Sequence, residues 1–448
     1  MKDLTKGNIY KNFLLFAIPM VLSGLLSQGY STLDTVIAGK YLGADGLAAI
    51  GATAPMISFI SSVFWGFGNG LGVYAAMLFG AKDYRRLKTD LIHHLTVINV
   101  IMLVCCGLIL LFRQPIYTLL RIDPRILAQA DTYFVVYLAG LMFVIMSFYG
   151  VYIMNAFGSS TFPFIMSMLA AVLNVGGNLL SVAVLNWGVA GIALSSVLSA
   201  AVVDVAYAIR LKQCFCELGV DKFRVGVHPD ILPRAYRYCL PTMLQQMVMY
   251  LSSFLISPLV NGIGSNASAS YTVCVRIYEI NASLYQNSAK TVSTYTAQSV
   301  GAGKTENLRR GLAVGALQSL IFILPTLLVG ALFPRQICSL FFKSSDAPEA
   351  IAYAVLFLRV YLPLVVFNAM ANLFHAYYRG CAAMTPLFVA TLVGSVTRIV
   401  VSFLLIGSYG INGMYIGWVA SWVADAACGL LFYRLGTWKK RLPLGEFG

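Results

Sequence analysis

The residue best placed to do chemistry is an aspartate inside an apolar run. Asp34 follows a long stretch of mostly apolar or small residues that begins after Lys11, and the next charged residue is Lys40. Tyr30 precedes it by one helical turn on the same face. An ionisable side chain within a membrane span is costly unless it is solvated or paired, so it usually has a function. We interpret Asp34 as a functional carboxylate; the alternative is a carboxylate at the level of the outer lipid headgroups.

A second polar group occurs later in the same half of the chain. Asn174 and Asn178 are spaced i, i+4, and Ser195 and Ser196 follow in the next apolar run. Amides can coordinate a cation through oxygen or hydrogen-bond a carboxylic acid. Alternatively, they form hydrogen bonds between helices in lipid, where small Gly and Ser residues allow close approach.

The second half offers candidates for a substrate cavity. Methionine adapts to irregular shapes, so the methionines that follow Pro241 can line a promiscuous pocket or serve as ordinary packing. Arg276 and Glu279 are spaced i, i+3 and can pair with each other. The candidate cavity residues are Met243, Gln246, Met249, Arg276, Glu279 and Asn368.

The remaining charged residues within spans have weaker roles. Asp204 and Asp425 take near-equivalent positions in the two halves, and we interpret them as interfacial structure. His375 lies inside a span, and we expect it to pack between helices. Lys290, Arg359 and Arg398 can snorkel, line a cavity or pair across it.

Several classes of function are excluded by these residues. No histidine or cysteine pattern forms a catalytic or zinc site, so we expect no enzyme and no structural metal. Gly301 to Thr305 resembles the end of a phosphate-binding loop, but Gln298 stands where that loop needs its first glycine. We interpret this segment as a basic, glycine-broken helix end, and we expect no ATP-driven pump.

Composition places all these residues in an all-α integral membrane protein. The chain has 448 residues, of which 59% are hydrophobic and 11% charged, and its mean hydropathy is +0.79. About twelve apolar runs are long enough to cross a bilayer as helices. They lie near residues 13–38, 47–79, 91–112, 133–157, 163–185, 189–210, 235–261, 267–297, 312–333, 351–378, 385–408 and 411–433.

Charge placement predicts the orientation. If the N-terminus is inside, about 21 of the 31 Lys and Arg residues fall on inner loops and 6 on outer ones. Both termini are therefore expected in the cytoplasm. The same bias, with contact to anionic lipid, explains the net charge of +14, so we expect no nucleic-acid partner. No cleavable signal peptide is apparent, and we expect the plasma (inner) membrane of a prokaryote.

The chain is also a tandem repeat. Markers recur in the same order at an offset of about 221 residues. The matched markers are Pro19 with Pro241, Pro124 with Pro348, Pro163 with Pro386, and residues 43–80 with 264–301. Six helices per half make the repeats parallel. The predicted domains are an N-terminal lobe (1–211), a cytoplasmic linker (212–234) and a C-terminal lobe (235–448).

With these features the chain resembles the multidrug and toxic compound extrusion (MATE) family. The likeness rests on the parallel repeat, the glycine-lysine helix ends and the prolines near the start of helices one and seven. It implies twelve helices in two six-helix bundles, V-shaped lobes around a central cavity. It also implies that an Asp on helix one, here Asp34 beside Tyr30, lies close to residues of helix five, here Asn174 and Asn178. On helix six, Ser196 stands near the position at which the family carries a Thr.

The chain departs from the family at two places. Asn178 stands where that branch of the family has a second Asp, so one carboxylate remains where two are usual. Another branch carries acids on helices seven and ten, at positions that correspond to Met249 and Asn368. We therefore expect no C-terminal acid site.

The resemblance implies a secondary active multidrug exporter that exchanges organic, often cationic, compounds for H⁺ or Na⁺ by alternating access. Small-molecule drugs and membrane lipid are the expected partners, and we expect a monomer without a cofactor. A transient Na⁺ at Asp34 is compatible with this scheme. The alternative is a lipid or lipid-linked oligosaccharide flippase of the same wider superfamily. It would need a basic cavity, for which the chain offers Arg276, Lys290, Arg359 and Arg398.

Overall fold

The protein is built from helices throughout the part that the structure describes. The computed structural model describes residues 1–119, 122–220, 232–261, 263, 265–339, 341 and 348–443, and no β-strand occurs in these ranges. The predicted all-α membrane fold is confirmed. Of the predicted linker (212–234), residues 212–217 still belong to a helix, and residues 221–231 lie outside the described ranges.

The described residues of the first half form eight helices, two of which make one bent span and one of which is short. They are α1 (Ile9–Gly43), α2 (Asp45–Gly80), α3 (Tyr84–Leu111), α4 (Arg113–Leu119), α5 (Leu127–Ala139), α6 (Leu141–Ala156), α7 (Thr161–Leu179) and α8 (Gly188–Glu217). A π-helical turn, Leu180–Val184, extends α7.

The second half repeats this pattern. Its helices are α9 (Leu232–Asn261), α10 (Ser265–Gly301), α11 (Leu308–Leu332), α12 (Pro334–Ser339), α13 (Pro348–Leu356), α14 (Val365–Gly380), α15 (Met384–Tyr409) and α16 (Ile411–Arg434). A π-helical turn, Phe357–Tyr361, lies between α13 and α14.

The predicted twelve spans can be identified in this series. Within the described ranges, nine segments are long and apolar enough to cross a membrane, and α5 with α6, bent by 49°, makes a tenth. The other two are α9 and α10, whose 30 and 37 residues are long enough for the purpose. Helix α10 is rich in Ser, Thr, Asn and Gln, which lowers its hydropathy although much of it is buried.

Glycine ends the helices where the chain must turn. Gly43 separates α1 from α2 with φ of +71°, a conformation that a side chain would strain. Gly303 has φ of +71° just after α10 ends at Gly301, and the amide of Ala302 donates to the carbonyl of Gln298. The segment that resembles a phosphate-binding loop is thus the end of a helix, as interpreted from the sequence.

The chain divides into two compact units. The N-terminal unit comprises Met1–Lys2 and Leu25–Met243, and the C-terminal unit comprises Asp3–Gly24 and Leu244–Gly448. The division therefore cuts two helices, α1 after Gly24 and α9 after Met243. The first helical stretch of each half belongs to the unit that is otherwise built from the other half.

Close helix packing in the N-terminal unit depends on glycines of α2. A Cβ atom on Gly70 would lie 2.6 Å from both the Cα of Cys239 and the carbonyl oxygen of Tyr238 on α9. Because these are backbone atoms, no side-chain movement can relieve the overlap. In α3, by contrast, a Cβ atom on Gly107 would meet nothing within 4 Å.

We predict that Gly70→Ala destabilises the protein and that Gly107→Ala does not. Overpacking against backbone costs about 1–3 kcal/mol, whereas alanine at an open helical site gains up to about 1 kcal/mol. Thermal unfolding in detergent, followed by size-exclusion chromatography of the remaining monodisperse protein, compares the two. Equal midpoints for both variants would contradict the packing described.

Candidate functional site

The centre of the site is a contact between α1 and α7 in the N-terminal unit. Asp34 lies nine residues before the end of α1 and is half-buried. Asn178 lies on α7 and is fully buried, and its Nδ2 atom donates to Oδ1 of Asp34 at 2.6 Å. A short hydrogen bond to a carboxylate is among the stronger ones in proteins. It provides the ionised carboxylate with a partner inside the bundle.

The hydrogen bonds continue from Asn178 to a third helix. The same Nδ2 atom donates to Oδ1 of Asn174 at 3.2 Å, one turn earlier on α7. Nδ2 of Asn174 donates to Oγ of Ser196 on α8 at 3.0 Å, and Ser196 donates to the carbonyl of Ile192. The structure thus brings together Asp34, Asn174, Asn178 and Ser196. We call these four residues the acid–amide network.

Helices α7 and α8 approach closely because small residues line their contact. A Cβ atom on Gly177 would lie 3.0 Å from Oγ of Ser195, and one on Gly191 would lie 2.7 Å from Oγ of Ser181. Ser195 donates to the carbonyl of Gly191 at 2.7 Å and lies 3.3 Å from Ser181. Ser195 is therefore a packing residue, whereas its neighbour Ser196 joins the network.

Three tyrosines interact electrostatically with the carboxylate of Asp34. Tyr30 is close enough to interact electrostatically with it, but its hydroxyl oxygen accepts from Ser27 at 3.4 Å. Tyr133 and Tyr137 on α5 also interact electrostatically with Asp34, and their rings stack with centroids 5.9 Å apart. Sequence reasoning missed these two. Their i, i+4 spacing within an apolar run was the available signal.

The donor and acceptor inventory of the network shows what it can bind. Oδ1 of Asn178 is buried and has no hydrogen-bond partner among the described residues. The oxygens of Asp34, Asn174 and Asn178 are of the kind that hold a hard cation such as Na⁺. In the structure, however, Asn178 turns an N–H group toward the carboxylate, so a bound cation would require its amide to rotate. A proton on the carboxyl group would leave the other helix contacts in place.

The candidate cavity residues are divided between the two units. Met243 belongs to the N-terminal unit, and the other five belong to the C-terminal unit. Arg276 pairs with Glu279 at 3.2 Å, but their side chains are 50% and 38% exposed, so the pair contributes little to stability. Gln246 and Met249 are half-buried on α9.

Asn368 is buried within the C-terminal unit and ordered by tyrosines. Its Nδ2 atom donates to the hydroxyl of Tyr278 at 2.8 Å and to that of Tyr285 at 2.9 Å. It also accepts from Nδ2 of Asn372 at 3.1 Å. This position holds a neutral amide in an aromatic setting, in accord with the expectation that no acid occupies it.

An aromatic cluster that the sequence analysis did not identify adjoins Asn368. The rings of Tyr278 and Trp422 stack with centroids 5.7 Å apart, and Trp418 lies 5.1 Å from Tyr278. The guanidinium of Arg398 lies over Trp418 at 5.2 Å and donates to Ser253. Trp418 and Trp422 are spaced i, i+4 on α16, a spacing that predicts a shared face but not its partners.

We predict that substitutions of Asp34 and Asn178 have non-additive effects on the free energy of unfolding, because the two side chains share a hydrogen bond. A cycle of Asp34→Ala, Asn178→Ala and the double variant should give an interaction free energy of about 0.5–3 kcal/mol, because each single change removes the same bond. The measurement is unfolding by SDS in mixed micelles. Thr89→Ala serves as the control: Thr89 is exposed on α3 and donates only to the carbonyl of Arg85. The effects of Thr89→Ala and Asp34→Ala on the free energy of unfolding should add within about 0.5 kcal/mol. If the effects of Asn178→Ala and Asp34→Ala add equally well, the two residues are not coupled.

Comparison with known proteins places this architecture in a family. The MatE family model matches residues 19–180 and 241–404, so its two copies begin at Pro19 and Pro241, the first pair of repeat markers. The chain is 24% identical to the probable multidrug resistance protein YoeA of Bacillus subtilis (strain 168), over 98% of this chain and 96% of that protein. It is 23% identical to the multidrug export protein MepA of Staphylococcus saprophyticus, over 95% of this chain and 93% of that protein.

A crystal structure of MATE in complex with MaL6 superimposes with a TM-score of 0.90 at 22% identity, over 98% of both chains. Because the family model covers well over half of the chain in two copies, the protein belongs to the MATE family of transporters.

Proposed function

We propose that the protein is a secondary active multidrug exporter, which exchanges bulky organic and often cationic compounds for H⁺ or Na⁺. The observation that carries this proposal is the acid–amide network, in which the single carboxylate of Asp34 is held by Asn178 inside a bundle of apolar helices. The names of the relatives YoeA and MepA, a multidrug resistance protein and a multidrug export protein, support the substrate class.

The exchange follows from competition for one negative charge. A carboxylate inside a membrane bundle is costly, and a proton, a metal cation or a cationic drug can each neutralise it. Only one of them can neutralise the carboxylate at a time. Binding of the coupling ion therefore displaces the drug, and binding of the drug displaces the coupling ion. If the two occupants favour different conformations, the exchange drives alternating access.

The direction of the Asn178 amide supports H⁺ as the coupling ion. Its N–H group faces the carboxylate, an arrangement that suits an anion or a carboxyl group better than a bound Na⁺. With Asn178 in place of a second acid, the site carries one negative charge. We propose one coupling ion per cycle at this site.

The surroundings of Asp34 suit a planar organic cation. Tyr30, Tyr133 and Tyr137 present aromatic surface near the carboxylate. Aromatic faces attract cations, and the attraction strengthens where water is excluded. A delocalised cation such as ethidium can therefore place its charge near Asp34 and its rings against the tyrosines.

The basic residues argue against the flippase alternative. Arg276 and Lys290 are 14 residues apart on α10, which separates them by about 21 Å along the helix axis. Arg276 is paired with Glu279, and Arg398 lies over Trp418. Arg359 lines a cavity of about 410 Å³ together with Arg335 and apolar residues of α13. These placements do not gather the four cations around one headgroup.

The proposed setting is the inner membrane of a prokaryote, with both termini in the cytoplasm and the monomer as the working form. The excess of Lys and Arg on one set of loops supports this orientation. The ends of α8 and α10 would then lie on the cytoplasmic side.

We predict that Asp34→Asn abolishes ion-driven export. The change keeps the size of the side chain and an oxygen that accepts from Asn178 but removes the charge for which ion and drug compete. Ethidium export into everted vesicles should fall about tenfold or more, equivalent to about 1.4 kcal/mol or more. Imposing the pH gradient and the Na⁺ gradient separately identifies the coupling ion.

Glu217→Gln is the matched control for this experiment. Glu217 is also an acid within a helix, but its side chain is 49% exposed and paired with Arg210. Its export should stay within about twofold of the unchanged protein, a difference of about 0.4 kcal/mol. Full ion-driven export by Asp34→Asn would remove Asp34 from the mechanism.

The proposed orientation predicts the reactivity of one native cysteine. Cys216 near the end of α8 is exposed, whereas the other eight cysteines are buried or half-buried. A membrane-impermeant maleimide should label Cys216 in everted vesicles but not in right-side-out spheroplasts. Cys216→Ser should lose the label, and Gln114→Cys, at an exposed position of α4, should show the opposite sidedness. Labelling of Cys216 from the outside would reverse the proposed topology.

A further inference from the structure

The C-terminal unit contains a buried pair of titratable side chains outside the acid–amide network. Nε2 of His375 on α14 lies 2.8 Å from Oδ1 of Asp425 on α16, and the two side chains are 5% and 15% exposed. Sequence reasoning gave His375 a packing role and Asp425 an interfacial one. The structure instead joins them in one buried contact, and neither is needed for the Asp34 mechanism.

Two neighbouring side chains determine which nitrogen of His375 carries its proton. Nε2 of Gln245 lies 3.4 Å from Nδ1 of His375 and donates to Oγ1 of Thr391 at 3.1 Å. Oε1 of Gln245 accepts from Nη2 of Arg379 at 3.3 Å. Because the amide N–H of Gln245 faces Nδ1, this nitrogen is the acceptor, and Nε2–H donates to Asp425. Nδ1 is then the atom at which the ring can take up a proton.

Protonation of Nδ1 would conflict with the position of Gln245. The ring would then present an N–H group toward an amide N–H, and two donors cannot share a hydrogen bond. Gln245 would have to turn its oxygen toward the imidazolium. That turn would withdraw the oxygen from Arg379 and the amide nitrogen from Thr391.

The pair lies among further titratable and charged groups. Asp425 and Arg379 carry opposite charges, and a proton on His375 adds one positive charge to the cluster. Lys290 on α10 interacts electrostatically with Arg379, and Cys428 on α16 interacts with Asp425. The added charge makes proton binding sensitive to any movement of these side chains.

Asp425 itself is held firmly by its neighbours. A Cβ atom on Gly394 of α15 would lie 2.9 Å from Cβ of Asp425. The carboxylate is therefore packed against the backbone of α15. Gln245 is 2% exposed and contacts His375, Thr391 and Arg379, so a proton on His375 acts on it directly. Gln245 lies on α9, two residues after Met243, where α9 passes from the N-terminal to the C-terminal unit.

We propose that the His375–Asp425 pair is a second proton-binding site, which takes one H⁺ at Nδ1 of His375 and transmits its occupancy to α9 through Gln245. No residue of this site belongs to the acid–amide network. It adds pH control in the C-terminal unit to the exchange proposed at Asp34. The competing explanation is a permanently neutral histidine that only packs helices together.

The direct test is ¹⁵N NMR of the full-length protein in lipid, labelled at the histidine rings. The chain has four histidines, so His375→Gln identifies the signals of His375 by their loss. The pH is lowered from about 8 to about 5, and over this range Nδ1 of His375 should change from an unprotonated to a protonated signal. A ring that stays neutral throughout that range would overturn the proposal and leave the packing role.

Two variants should move this titration in opposite directions. Asp425→Asn removes the anion that stabilises the imidazolium, so the protonated signal should be lost across the range. Gln245→Glu places a carboxylate where the amide stands, next to both Nδ1 and Arg379, so the protonated signal should persist to the upper end of the range. Identical titrations in Gln245→Glu and the unchanged protein would contradict the contact through Gln245. Should Asp425→Asn fail to fold, Gln245→Glu still tests the site.

Export measurements separate this proposal from the one on Asp34. His375→Gln should retain ethidium export but flatten its dependence on pH, because Asp34 remains. An unchanged pH profile would disprove the link to transport. The NMR measurement needs no substrate, so it tests the proton site even if the protein does not export drugs. Likewise, a His375 ring that stays neutral would leave the proposed export at Asp34 standing.

Discussion

The hydrogen bond between Asn178 and Asp34 is the contact on which the packing of α1 against α7 and α8 depends. A carboxylate among apolar helices requires a partner, and the fully buried amide of Asn178 supplies it at 2.6 Å. The position of Asn178 is fixed by further hydrogen bonds, because Asn178 also donates to Asn174, and Asn174 donates to Ser196. Three helices must therefore keep their register for one charge to stay satisfied. A ligand that neutralises Asp34 relaxes this requirement, which is how occupancy can change helix packing.

The two halves share a scaffold but not a chemistry. In the N-terminal unit an acid meets amides and hydroxyls, and Asp204 on α8 accepts from Ser147 at 2.7 Å. At the near-equivalent position of the second half, Asp425 meets an imidazole instead. Duplication supplies the same helix neighbours in both halves, so a few substitutions suffice to replace the hydroxyl–carboxylate contact of the first half with an imidazole–carboxylate contact in the second.

Patterns along single helices could be predicted from the sequence, whereas contacts between helices could not. The apolar runs gave the spans, and the repeat markers coincide with the starts of the two family-model matches. The shared face of Asn174 and Asn178 follows from their spacing, but their approach to Asp34 was expected only from the family resemblance.

The sequence did not predict the contact between His375 and Asp425, which are 50 residues apart and on helices that are not consecutive. No periodicity connects such a pair, and the same holds for the approach of Tyr133 to Asp34. The sequence counted residues 267–297 as an apolar run, whereas many of the buried side chains of α10 are Ser, Thr, Asn and Gln.

The division of the molecule into units gives both titratable sites a common feature. Helix α1 passes from the C-terminal unit to the N-terminal unit after Gly24, and Asp34 lies ten residues beyond that point. Helix α9 makes the opposite passage after Met243, and Gln245 lies two residues beyond it. Both proposed proton sites therefore include a helix that contributes residues to both units. On α1 the first stretch is packed tightly onto α10, because a Cβ atom on Gly24 would lie 2.2 Å from Nδ2 of Asn287 and 2.3 Å from Oγ of Ser283. The same helix carries Asp34 after it enters the N-terminal unit, so the helix that holds this carboxylate begins as part of the C-terminal unit.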